Sequence, residues 1–89
     1  MAFYVDCQVS TGLFDSEFYI TVSESSAFVN RRNVRVDEVP EKDNIVKGKV
    51  LAYMIDAGKG KDIALIEVPG EPVVGGLRTW IPKSTLTSG

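Results

Sequence analysis

One short phrase is written twice in this chain. Ala27-Phe28-Val29-Asn30-Arg31-Arg32-Asn33-Val34 and Thr79-Trp80-Ile81-Pro82-Lys83-Ser84-Thr85-Leu86 both run aromatic, β-branched, turn-former, basic, two polar, aliphatic. An aromatic beside a β-branched residue favours a strand, and a turn-former followed by polar residues ends it. Each phrase therefore reads as a strand, one tight turn and an exit. If the repetition is structural, Phe28 and Trp80 occupy equivalent places in two pseudo-symmetric halves. Chance likeness between two strand-turn segments of an all-β chain is the simpler expectation. In either case the two large aromatics are expected to anchor the core.

The rest of the chain speaks the same language. Phe3, Val5, Cys7 and Val9 alternate with Tyr4, Asp6, Gln8 and Ser10, the period-two pattern of a strand with one buried face. After a loop through Thr11-Gly12 and Asp15-Ser16, Phe18, Ile20 and Val22 alternate with Tyr19 and Thr21, which predicts an antiparallel hairpin. Ser23-Glu24-Ser25-Ser26 breaks the pattern, Val34-Arg35-Val36 extends pairing past the first phrase, and the charged residues 37–44 connect two halves. Residues 49–55 and 63–68 form a second hairpin around the glycines of Gly58-Lys59-Gly60, which permit a reversal. The run Ala64-Leu65-Ile66 suggests a central strand covered on both faces, and Pro69-Gly70-Glu71-Pro72 should stop it. Residues 73–78 read as a loop or a small excursion with a Gly-Gly turn. No segment carries a helical period beyond a turn or two.

Eighty-nine residues suffice for one domain, residues 1–89, with a thin stability margin. An immunoglobulin-type sandwich usually takes about 100 residues. The expected fold is thus all-β: a small, partly open barrel of five to seven short antiparallel strands. Trp80-Ile81-Pro82-Lys83-Ser84-Thr85-Leu86 resembles the closing segment of Src-homology-3-like (SH3-like) barrels, where an aromatic-aliphatic-Pro run makes one 3₁₀ turn before a last short strand. The resemblance covers residues 80–86 and implies barrel geometry. It implies no proline-rich-peptide binding, because Ala2-Phe3-Tyr4-Val5-Asp6 is not that family's tyrosine motif and Trp80 is the sole tryptophan.

Composition weighs against catalysis. Without histidine the chain lacks the usual general base near neutral pH and the commonest metal ligand. Cys7, the one cysteine, shares the face of Val5 and Val9, where a thiol is an inert core residue. The acids Asp37, Glu38, Glu41 and Asp43 lack the ligand spacing and central glycine of a calcium loop, and Gly58-Lys59-Gly60-Lys61-Asp62 is not a phosphate loop. We expect no enzyme, cofactor or metal. A lone cysteine, short apolar runs and a start without a basic, cleavable segment lead us to expect a cytoplasmic protein with no membrane partner.

Association remains. The candidate binding surface comprises Arg31, Arg32, Arg35 and Lys83, with Tyr4, Tyr19 and Tyr53 on the less apolar faces of their strands. Arginine forks suit carboxylate and phosphate, whereas exposed tyrosines suit protein interfaces. The arginines could equally pair with Asp37 and Glu38 just downstream. The net charge of −2 does not suggest a surface built for nucleic acid. The leading expectation is a protein-binding module, self-association being one form; a nucleic-acid-binding barrel using the 31–35 arginine cluster is the alternative.

Overall fold

The computed structural model describes residues 2–88; Met1 and Gly89, the ends of the expected 1–89 domain, lie outside the described residues. Nine strands follow in order: β1 (Ala2–Thr11), β2 (Glu17–Val22), β3 (Ser25–Asn30), β4 (Val34–Val36), β5 (Val46–Asp56), β6 (Ile63–Glu67), β7 (Glu71–Val74), β8 (Arg78–Pro82) and β9 (Leu86–Ser88). All pair antiparallel in one sheet of order β7-β3-β2-β1-β5-β6-β8, with β4 added to β5 and β9 to β1. The sheet curls into an open half-barrel. The all-β, partly open barrel expected from the sequence is what forms: seven strands along the main path plus the two short ones. No helix among the described residues is long and apolar enough to cross a membrane.

Both copies of the repeated phrase fold as strand, 3₁₀ turn, strand. Arg31–Asn33 and Lys83–Thr85 are the two turns. The Asn30 side chain accepts from the Arg32 N–H at 3.0 Å, and Thr85 Oγ1 donates to the Pro82 carbonyl at 2.7 Å. The copies also occupy equivalent places. Phe28 pairs with Tyr19 and Trp80 with Leu65, so Tyr19 corresponds to Leu65 and Ile20 to Ile66. Thr21 pairs with Gln8 as Glu67 pairs with Tyr53, which makes Val5 the counterpart of Val50. Val5 then pairs with Leu86 and Val50 with Val34, the corresponding last residues of the two phrases. The set of correspondences closes on itself, and Val5 lies directly opposite Val50 in the β1/β5 ladder. A pseudo-two-fold axis therefore passes between them. Each half lends its last strand to the other: β4 completes β5, and β9 completes β1.

The core lies on the concave face and takes alternate residues from the strands. Val5, Val9, Ile20, Val29, Val50, Ile66 and Ile81 are its largest fully buried side chains. Burying an aliphatic side chain of this size contributes about 1.5–3 kcal/mol against full exposure. Phe28 and Trp80 do not anchor this core. Phe28 is half-buried and Trp80 is 46% exposed, because the alternation that sends Val29 and Ile81 inward sends their aromatic neighbours to the outer face. The same parity applies to Leu65, which is partly exposed between buried Ala64 and Ile66, so β6 is covered on one face only. The strand expected to stop at Pro69-Gly70-Glu71-Pro72 does stop, β6 ending at Glu67, but Glu71 and Pro72 also open β7, which crosses to pair with β3.

β7 is the one main-path strand without a counterpart. Between β2 and β3 the chain makes a tight turn at Ser23-Glu24, with φ 53° at Ser23, where between β6 and β8 it runs out to form β7. The consequence is an asymmetry at the sheet edges. β3 is covered by β7, whereas β8, its pseudo-symmetric equivalent, pairs only with β6.

Candidate functional site

The seven residues singled out in the sequence do not form one surface. Arg31 and Arg35 line a surface groove of about 1120 Å³ together with Lys47, Lys49, Asp6 and Asp37. The Arg31 guanidinium carbon sits 4.3 Å from the centroid of the Phe18 ring, and that of Arg35 sits 3.7 Å from the centroid of Tyr4. Such cation–π contacts hold each guanidinium group against the face of its ring. Arg31 Nε is buried without a hydrogen-bond partner. The ion pairs among the described residues are Lys49–Asp6 at 2.5 Å and Arg78–Glu67 at 2.9 Å. Neither involves Arg31, Arg32 or Arg35, so the pairing with Asp37 and Glu38 does not form. Arg32 is exposed and does not line the groove.

Lys83 holds the place of Arg31 in the other half. The Lys83 N–H donates to the Asp62 carbonyl at 2.8 Å, as that of Arg31 does to Ser16 at 3.0 Å. Its ammonium donates to the Gly58 carbonyl at 3.5 Å, and it does not line the groove. Lys47 and Lys49 take its part there. They are brought in by β5, whose Lys49 pairs with Arg35 of β4. Their alternation in Lys47-Gly48-Lys49 is the signal by which the sequence could have shown them. Tyr19 is half-buried, its ring 5.3 Å from that of Phe28 in an edge-on contact.

Tyr53 belongs to a second surface. On the outer face of β5, β6 and β8, Tyr53, Ile55, Ile63 and Trp80 are all exposed, and Leu65 is partly so. Leu65 pairs directly with Trp80, and Glu67 with Arg78. This apolar area ends at the free edge of β8. The backbone of that edge can be read from two hydrogen bonds, Val68 N–H to Leu77 carbonyl and Lys83 N–H to Asp62 carbonyl, at 2.9 and 2.8 Å. Hydrogen-bonded positions alternate in an antiparallel ladder. Residues 77, 79, 81 and 83 thus turn their N–H and C=O groups to β6, and Arg78 and Trp80 turn theirs outward. Pro82, also outward, has no N–H to offer.

Cys7 borders the groove from the core side. Burial, reinforced by the Asp6 charge and opposed by Lys49, pushes its thiol up to about 12 from an ordinary 9.0. It is therefore a thiol and not a thiolate at neutral pH. No family model, curated protein or solved structure matches this chain.

Proposed function

We propose that the protein is a non-catalytic binding module that holds another protein by adding a strand to β8. One observation carries this reading. The N–H and C=O groups of Arg78 and Trp80 point away from the sheet, at the border of an exposed apolar face formed by Tyr53, Ile55, Ile63 and Trp80. Added strands take affinity from such main-chain groups and specificity from neighbouring side chains. Edges left open in this way are normally blunted by charge, proline or a covering element. At the other end of the main strand path β7 carries a proline inside the strand, whereas Pro82 is the last residue of β8 and leaves the groups of Arg78 and Trp80 free. Phe28, not Ala27, turns its polar groups to β7, so Pro72, paired with Ala27, turns its missing donor outward on β7. The buried, unpaired Cys7 accords with the cytoplasmic location included in this reading. The closing likeness to SH3-like barrels belongs to the proposal too, supported by the 3₁₀ turn Lys83–Thr85 ahead of β9.

Selection from a displayed library of extended heptapeptides tests the proposal. Selected peptides should slow hydrogen exchange at the Arg78 and Trp80 amides and shift Trp80 fluorescence. Protection confined to other strands would sink it. The groove supports a second reading, nucleic-acid binding, because its arginines carry no ion pair and lie stacked on Tyr4 and Phe18. In that case binding to a single-stranded oligonucleotide should fall with salt by a slope of about −0.7 per phosphate contacted, and Arg31→Gln with Arg35→Gln should flatten it.

A further inference from the structure

We infer that the strand added to β8 is the β8 of a second copy, in the register that sets Arg78 of each chain opposite Trp80 of the other. The inference rests on the strand-addition reading above and goes on to name its partner. Pairing through the outward residues must join even-numbered positions of the two strands, since only these turn their N–H and C=O groups away from β6. Two antiparallel registers are then available near the centre of the strand. With Trp80 opposite Trp80, Arg78 faces Pro82 and its carbonyl meets a residue that has no N–H. With Arg78 opposite Trp80, all four outward N–H and carbonyl groups of the two residues find partners, and Pro82 falls outside the paired stretch. The second register leaves nothing unmet.

Side chains agree with it. Directly opposed residues in an antiparallel pair point to the same face. Arg78 and Trp80 both lie on the outer face, so each guanidinium comes beside the indole of the other chain, a favourable cation–π pairing. Arg78 is already held at 2.9 Å by Glu67, which presents it from the neighbouring strand. Across the joined sheets a row would run Glu67, Arg78, Trp80, Leu65, with the same row reversed beside it. The exposed Trp80 is then covered by a chain that needs the same cover.

The fold contains its own precedent for the occupant. β3, the pseudo-symmetric equivalent of β8, does not stand bare: β7 lies on it antiparallel, with Glu71 opposite Phe28, the counterpart of Trp80. β8 in a single chain lacks that cover. A head-to-tail alternative, β7 of one chain on β8 of the next, would extend without closing and would present the donor-free side of Pro72. The β8–β8 pair closes on a two-fold axis and uses no proline within the ladder.

Sedimentation velocity over a concentration series, with three variants, tests this inference. Wild type should pass reversibly from monomer to dimer. Trp80→Pro removes one outward N–H per chain, hence two of the four hydrogen bonds, while leaving the ladder to β6 intact; it should raise the dimer dissociation constant roughly tenfold or more. Its circular dichroism and melting curve report whether the monomer still folds. The register is read in a Cys7→Ala background. Thr79 falls on the two-fold axis opposite its own copy, so Thr79→Cys should give a disulfide-linked dimer on mild oxidation, and Ser84→Cys should not. A strict monomer at millimolar concentration, or a dimer indifferent to a folded Trp80→Pro variant, overturns the inference. If such a monomer still binds selected peptides along β8, the strand-addition reading stands and only the second copy is lost; if it binds none there, both fall.

Discussion

At the scale of single residues, parity along a strand outweighs size. Ile81 is 2% exposed and Trp80, its neighbour, 46%. Truncating Ile81 leaves a cavity in a close-packed interior, so Ile81→Ala should cost about 2–5 kcal/mol. Trp80→Ala removes an outer-face ring and should cost well under half as much; urea denaturation of both monomers checks the order, and equal costs would contradict the placement. Cys7 yields a second prediction. Its pKa in the folded chain lies above the ordinary value, so the stability linked to its protonated thiol is intact below pH 9 and declines as pH rises from about 9 towards 12. Cys7→Ala should flatten that decline in alkaline unfolding curves. In native wild type at pH 8 the thiol should resist an aromatic disulfide reagent until denaturant opens the fold.

At the scale of elements, alternation made β1 and β2 legible, because Val5, Val9, Ile20 and Val22 fall at period two. β5 and β6 were legible from the glycines of their hairpin and the apolar run Ala64-Leu65-Ile66, which hid the partly exposed face of β6. The two 3₁₀ turns were legible in the repeated phrase. β7 was not. Glu71-Pro72 looks like a terminator, and its pairing with β3 depends on a contact remote in sequence that local propensity does not encode. The groove was half legible: Arg31 and Arg35 stand in one cluster, but Lys47 and Lys49 join them only through the β4/β5 pairing. The hairpin from β5 to β6 shows where glycine is required. Gly58 has φ +57°, and a Cβ there would run into the carbonyl of Ile63, whereas Gly60 has φ +74° and open space around it. Gly58→Ala should therefore lose clearly more stability than Gly60→Ala, whose cost is about 1 kcal/mol from backbone conformation alone. Thermal melts of the two variants decide it; equal losses would mean the hairpin shifts freely to admit the methyl.

At the scale of the whole molecule, the exchange of terminal strands decides how the two halves depend on each other. Residues 2–36 supply β4 to the second half, and residues 46–88 supply β9 to the first. The β1/β5 ladder, continuous from Ala2/Tyr53 to Val9/Val46, joins the halves along their longest strands. A half taken alone loses that ladder and the exchanged strand together. Val5 or Val50 at its centre would then face water on the side where the other now lies. Small β-sheets need several strands and a buried face to persist, and each half keeps its hairpin but not its cover. Two fragments, residues 1–44 and 45–89, should accordingly show no cooperative melting separately. Mixed in equal amounts they should regain sheet circular dichroism and a single transition, with an affinity weakened by Val50→Asp in the second fragment. A cooperative transition in residues 45–89 alone would show that β9 folds back on β5 in place of β4, and that the exchange is not what binds the halves.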